Sequence, residues 1–252
     1  MIPSPITSSL AALEARSVPC LVMGGQACVL YGSAEFSRDL DLVIAAHGDA
    51  LERLHAALTD LQAEVIAVPP LRRDLLERGH AVHFRCTRPD VAGLRIDVLL
   101  RPPRIADVAG MWERCVLIQI PGGAPVPVVA LADLVATKKT QRDKDWAMIG
   151  QLVDADMVAH REAPAAEQVR FWLREAREAD QLILLAASFP DRAAEAAPAR
   201  PLLQLAIAAD HAALELALAR EQIQGKTEDR AYWAPLLAEL EQIRRARHRS
   251  GR

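Results

Sequence analysis

At 252 residues, 51% of them hydrophobic, the chain is long enough for one large domain or two smaller ones with ample apolar content for a core. Its formal net charge of −3 argues against holding nucleic acid by bulk positive charge, leaving only a local basic patch for that role, and an aromatic content of 4% argues against an extended base-stacking platform. The four cysteines, Cys20, Cys28, Cys86 and Cys115, form no C-x-x-C pair and read as free thiols in a reducing compartment, not as disulfides or zinc ligands.

In chain order, Ser8 to Arg16 predicts a short amphipathic helix, ended by Pro19, and Cys20 to Met23 a buried strand. Gly24-Gly25 turns the chain into a helix from Gln26 to about Tyr31. Asp39 to Ala45 is the second strand, and Leu51, Leu54, Leu58 and Leu61 give Asp49 to Leu61 helical spacing. Pro69-Pro70 opens an irregular charged stretch with Arg72, Arg73 and Asp74. His80 to Cys86 and Leu94 to Leu100 read as two strands joined by a turn holding Pro89, Asp90 and Gly93. Val116 to Ile120 predicts an edge strand before the breakers Pro121-Gly122-Gly123, and Val126 to Val129 a brief extended segment.

Beyond Ala130 the pattern is helical. Helices are expected over Leu131 to Thr140 and Asp145 to Ala159, and a long one over Ala165 to Ser188. A Pro/Ala linker follows from Pro190 to Pro201, then helices over Leu202 to Arg220 and Asp229 to Arg247. The change from strands to helices marks a domain boundary near residues 130–150. No basic stretch followed by a long apolar core opens the chain, and no apolar run spans a bilayer, so a soluble, cytoplasmic protein without a membrane partner is expected.

Three acids carry the chemistry. Asp39 and Asp41, one residue apart in Asp39-Leu40-Asp41-Leu42, face the same side of a strand because strand side chains alternate. Adjacent carboxylates repel and are costly to bury, so such a pair calls for a positive partner, and a divalent metal that also binds phosphate fits. Asp97, the one carboxylate in the largely apolar run Leu94–Leu100, would complete a trio if its strand lies beside the first. The bland alternative for Asp97 is a buried acid paired with Arg95 or Arg85. His80 and His83 point to opposite faces of a strand and make a poor chelate. The basic tail Arg244, Arg245, Arg247, Arg249 and Arg252 reads as a solvated helix end.

Met23-Gly24-Gly25, a spacer from Gln26 to Arg38, Asp39-Leu40-Asp41-Leu42 and then Ile96-Asp97-Val98 occur in the order that marks the DNA polymerase β-like nucleotidyltransferase superfamily. The chain resembles that superfamily over roughly its first three-fifths. It looks most similar to the AbiEii-type branch of bacterial toxin nucleotidyltransferase-like proteins. The resemblance implies an α+β fold: a small mixed-sheet nucleotidyltransferase domain over residues 1–145, followed by a C-terminal helical domain over 146–252. It implies that Gly24 and Gly25 hold nucleotide phosphates, that Asp39 and Asp41 hold Mg²⁺, and that Asp97 is the base or a further metal ligand. Ser37, and one of Lys138 and Lys139, would contact the nucleotide. Against the family's usual spacer, Glu35 stands where many members have Arg, and Ser37 where they have Thr.

The implied activity moves a nucleoside monophosphate from NTP to an acceptor hydroxyl. The acceptor is a tRNA 3′ end if the chain acts like a toxin with a protein antitoxin as partner, or a small molecule if it acts like antibiotic-modifying relatives. The competing expectation is a nucleotidyltransferase fold without activity that works through a partner protein. Glu35 favours it, and the presence of all three acids counts against it.

Overall fold

The computed structural model describes residues 4–120 and 123–250; the expected break at Pro121-Gly122 lies outside the described residues. The fold is α+β: a mixed seven-stranded sheet with helices, then a series of helices ending in a long one. Two compact units form, one holding the residues up to Thr137 and those from Tyr232 onward, the other Lys138–Ala231. The end of the last helix belongs with the sheet. The reason is local. Glu239 pairs with Arg78 at 2.9 Å and with the buried His80 at 2.7 Å, and Tyr232 lies over Gly79, where a Cβ would come within 3.0 Å of its hydroxyl.

The first unit runs α1 (Ser4–Ala15), β1 (Cys20–Met23), α2 (Gly24–Leu30), β2 (Asp39–Ile44), α3 (Ala50–Asp60), β3 (Ala63–Val65), α4 (Arg73–Glu77), β4 (Val82–Cys86), β5 (Arg95–Leu99), α5 (Val108–Glu113), β6 (Val116–Gln119) and β7 (Pro125–Val128), with α6 (Leu131–Lys138) at its end. The strand order is β3-β4-β5-β2-β1-β7-β6, with β6 at one edge as its sequence suggests. At the centre, β2 runs parallel to β5 and antiparallel to β1, while β4 runs antiparallel to β5.

This register sorts the side chains onto two unlike faces. One carries Val22, Leu40, Leu42, Ile44, Ile96, Val98, Val82 and Phe84, all at most 3% exposed. The other is apolar and buried at Leu21, Val43 and Leu99, then turns polar at Asp39, Asp41, Arg95, Asp97, His83 and Arg85. Burial on both faces is the pattern expected of a sheet with a parallel centre. The polar end of the second face is the exception, and an exception of that kind marks a site.

The second unit contains α7 (Asp143–His160), α8 (Ala166–Glu175), α9 (Ala179–Ser188), α10 (Pro190–Ala196), α11 (Leu203–Ile207) and part of α12 (His211–Ser250). The single helix expected over Ala165 to Ser188 is therefore two. The chain extends at Ala176 (ψ 141°) and Glu178 (ψ 134°), and the buried Arg200 donates to the carbonyls of Leu173 and Ala176 at 2.8 and 3.0 Å. A long-range arginine thus replaces the next helical turn, which apolar spacing does not register.

The expected Pro/Ala linker holds α10, because Pro190 occupies the first helical position, where no N–H is needed. Ala209, at φ 53°, separates α11 from α12. No break divides α12 near Gly225, whose cost inside a helix is only about 1 kcal/mol.

Candidate active site

The turn from β1 into α2 brings Gly24 and Gly25 against the acidic strand. Met23 is directly opposite Asp41, and the Gly25 N–H donates to Asp41 Oδ2 at 3.3 Å. Gly24 is needed for two reasons. Its φ of +65° is a left-handed conformation, and a Cβ there would lie 1.9 Å from Asp41 Oδ2 and 2.7 Å from Asp41 Cβ. A Cβ at Gly25 would meet Ser37 Oγ at 2.6 Å, so the spacer folds back over the glycine pair. Ser37 Oγ donates to the Asp39 carbonyl at 3.1 Å, which fixes the hydroxyl beside the start of β2.

Asp41 and Asp97 are register partners in adjacent parallel strands, and Asp39 is opposite Arg95. The three acids therefore share one face, as the condition set by their sequence required. Asp97, however, is already held. Arg95 grips it with a fork, Nε to Oδ1 at 2.7 Å and Nη2 to Oδ2 at 2.8 Å, and His83 Nδ1 lies 2.8 Å from Oδ1. Burial works to raise the Asp97 pKa, but the hydrogen bonds and charges of His83 and Arg95 outweigh it and hold the carboxyl below the ordinary carboxylate value. Arg95 is stabilised as a cation in turn, first by its hydrogen bond to Asp97 and more weakly by the charges of Asp39 and Asp41.

A divalent metal is the cofactor the sequence implies, and the donors fit it at two of the three acids. Asp39 and Asp41 supply hard oxygens from one strand face, and Mg²⁺ is commonly held by one or two carboxylates plus water and substrate phosphate. Among the described residues the Asp39 carboxylate makes no hydrogen bond or ion pair. Asp97 does not fit as a third ligand while both its oxygens are bound by Arg95. In accord with this, no group of three or more His, Cys, Asp or Glu side chains among the described residues is arranged to hold a metal ion.

Lys138 and Lys139 belong to the second unit. Lys138 Nζ lies 3.7 Å from Asp145, whose other oxygen accepts from Thr140 and from Arg142. Lys139 Nζ lies 2.7 Å from the buried Glu175. The two lysines differ in how firmly they are held, Lys139 by the shorter contact.

Sequence reasoning missed two features. One is His83, whose place opposite Asp97 depends on the β4–β5 register, which no local pattern encodes. Gln26, directly after the glycine pair, is wholly buried, and its amide has no hydrogen-bond partner among the described residues. An unpaired buried amide costs free energy, so a residue of that kind beside a candidate site is informative. Its sequence signal, one polar residue opening an otherwise apolar helix, is faint.

No protein family matches the chain, and neither does any curated protein. Among solved structures it is similar to the antibiotic-resistance factor ANT(2'')-Ia, at 16% identity and a TM-score of 0.37, over 76% of this chain and 92% of that one. A likeness at that score says nothing about reaction or substrate. Among the described residues no helix is long and apolar enough to cross a membrane.

Proposed function

We propose that the chain binds a nucleoside triphosphate with a divalent cation and transfers its nucleoside monophosphate to an acceptor hydroxyl, releasing pyrophosphate. One observation carries the reading: the Gly24-Gly25 turn closes onto Asp41 on the sheet face that also bears Asp39 and Asp97. The ordered motif resemblance agrees with it. In this reading the glycine pair lets backbone N–H groups approach the phosphates closely, and Ser37 adds a hydroxyl beside them. Asp39 and Asp41 hold Mg²⁺, which when bound neutralises phosphate charge in an in-line displacement.

Asp97 is a poor proton acceptor while Arg95 and His83 hold its pKa down. Its role is to fix those two side chains at the edge of the acids; it joins as ligand or base only if Arg95, 38% exposed at its side chain, swings away. The resemblance gives one of Lys138 and Lys139 a nucleotide contact, and Lys138 has the weaker contact to give up, 3.7 Å to Asp145 against 2.7 Å from Lys139 to Glu175.

The AbiEii-type resemblance supports a tRNA 3′ end as acceptor and a protein antitoxin as partner. The antibiotic-modifying relatives support a small molecule, which the net charge of −3 favours over an extended RNA surface.

The second reading is an inactive binding module, favoured by the occupied Asp97 and by Glu35 in the spacer. Thermal unfolding with saturating Mg²⁺-NTP separates the two. Protection of the wild type that is absent in Asp39→Asn with Asp41→Asn supports the enzyme. No shift with any NTP supports the module.

A further inference from the structure

Phe36 stands out among the aromatic residues. It is 58% exposed, while Phe84, Trp146, Phe171 and Trp172 are each at most 8% exposed. Tyr232, the other exposed ring, has Gly79 and Trp233 as neighbours. A single exposed phenyl ring is unremarkable by itself. Its place is what matters. It directly precedes Ser37, the residue folded against Gly25 and bonded to the Asp39 carbonyl.

Arg38, on the other side of Ser37, holds its guanidinium 5.8 Å from the Phe36 ring centroid. Among the described residues Arg38 has no carboxylate partner. Proteins that bind single-stranded nucleic acid stack bases on aromatic rings, because every base has a π-face, and arginine adds a cation–π contribution. Arg38 thus lies over one face of a ring that is largely exposed.

We propose that Phe36, backed by Arg38, stacks on the base of the nucleotide whose phosphates lie at Gly24, Gly25 and Ser37. The inference rests on the nucleotide-binding reading of the site and adds the base subsite to it. One ring takes one base, in keeping with a chain too poor in aromatics for an extended platform. Stacking of this kind tolerates all four bases. The subsite therefore contributes affinity for a nucleoside without choosing among them, and the choice falls to other groups.

The test compares two probes in calorimetric titrations at saturating Mg²⁺: each of the four NTPs, and inorganic tripolyphosphate, which has no base. The expected result for Phe36→Ala is a roughly 10- to 100-fold weaker NTP and unchanged tripolyphosphate affinity. Phe36→Trp should restore NTP binding, and its indole fluorescence should change when NTP, but not tripolyphosphate, is added. Phe36 is exposed, so both variants should melt with the wild type. The stacking role is overturned if Phe36→Ala binds NTP as the wild type does, or loses both probes equally. A wild type that binds neither probe overturns the nucleotide reading itself, and the stacking with it.

Discussion

Gly24→Ala should do more damage than Gly25→Ala, although the two glycines are neighbours. At Gly24 a left-handed φ of +65° costs a residue with a Cβ about 1–2 kcal/mol. The added Cβ would also lie 1.9 Å from Asp41 Oδ2, 2.5 Å from its Cγ and 2.7 Å from its Cβ. Rotation about χ1 relieves the first two contacts but not the third, since Cβ does not move with χ1. The backbone of the β1–α2 turn or of β2 must shift, and overpacking of that kind costs about 1–3 kcal/mol. The sum is about 3 kcal/mol, or roughly 6–12 °C of melting temperature for a chain of this size.

At Gly25 the closest contact is Ser37 Oγ at 2.6 Å, which rotates away, leaving Ser37 Cβ at 3.2 Å. The small remaining overlap is offset by the gain of about 1 kcal/mol from alanine over glycine in a helix. Gly25→Ala should therefore melt near the wild type yet bind Mg²⁺-NTP more weakly, because the Ser37 hydroxyl has moved. Circular-dichroism melts with and without Mg²⁺-NTP read both effects. Wild-type stability in Gly24→Ala, or equal losses in the two variants, would refute the account of the turn.

Asp97→Asn should cost about 1–3 kcal/mol at neutral pH, since it leaves a half-buried Arg95 fork without its counter-charge. The sign of the pH dependence follows from the depressed pKa of Asp97. The ionised form stabilises the fold above the unfolded carboxylate value of about 3.9, and the contribution is lost as pH falls through the lower native value. Urea titrations should show the wild type and Asp97→Asn converging in acid; a gap that persists or widens there would contradict the pairing. For the lysines, Lys139→Ala should lower the melting temperature because it strips the buried Glu175 of its shortest cationic contact. Lys138→Ala should leave stability nearly unchanged and weaken Mg²⁺-NTP binding instead. The reverse pattern in melts and titrations would reassign the two.

The central strands were legible because local signals and burial agree there. Cys20–Met23 is bounded by Pro19 and the glycine pair, and β2 and β5 are short apolar runs whose acids interrupt the alternation at positions that share a face. Their adjacency was a condition that the sequence set but could not meet alone, since pairing depends on register between residues more than fifty positions apart. The same limit hid His83, which is unremarkable until β4 places it opposite Asp97. In the helical half the failures have the opposite origin. Apolar spacing runs without interruption through Ala176–Glu178, and what ends α8 is Arg200, twenty-four residues further on, taking the carbonyl of Ala176. Periodicity reports which face of a helix is buried, not where a distant donor competes for its carbonyls. At this break the chain follows a buried arginine and not a proline: Pro190 begins a helix and Pro235 lies inside one, whereas Arg200 stabilises an end.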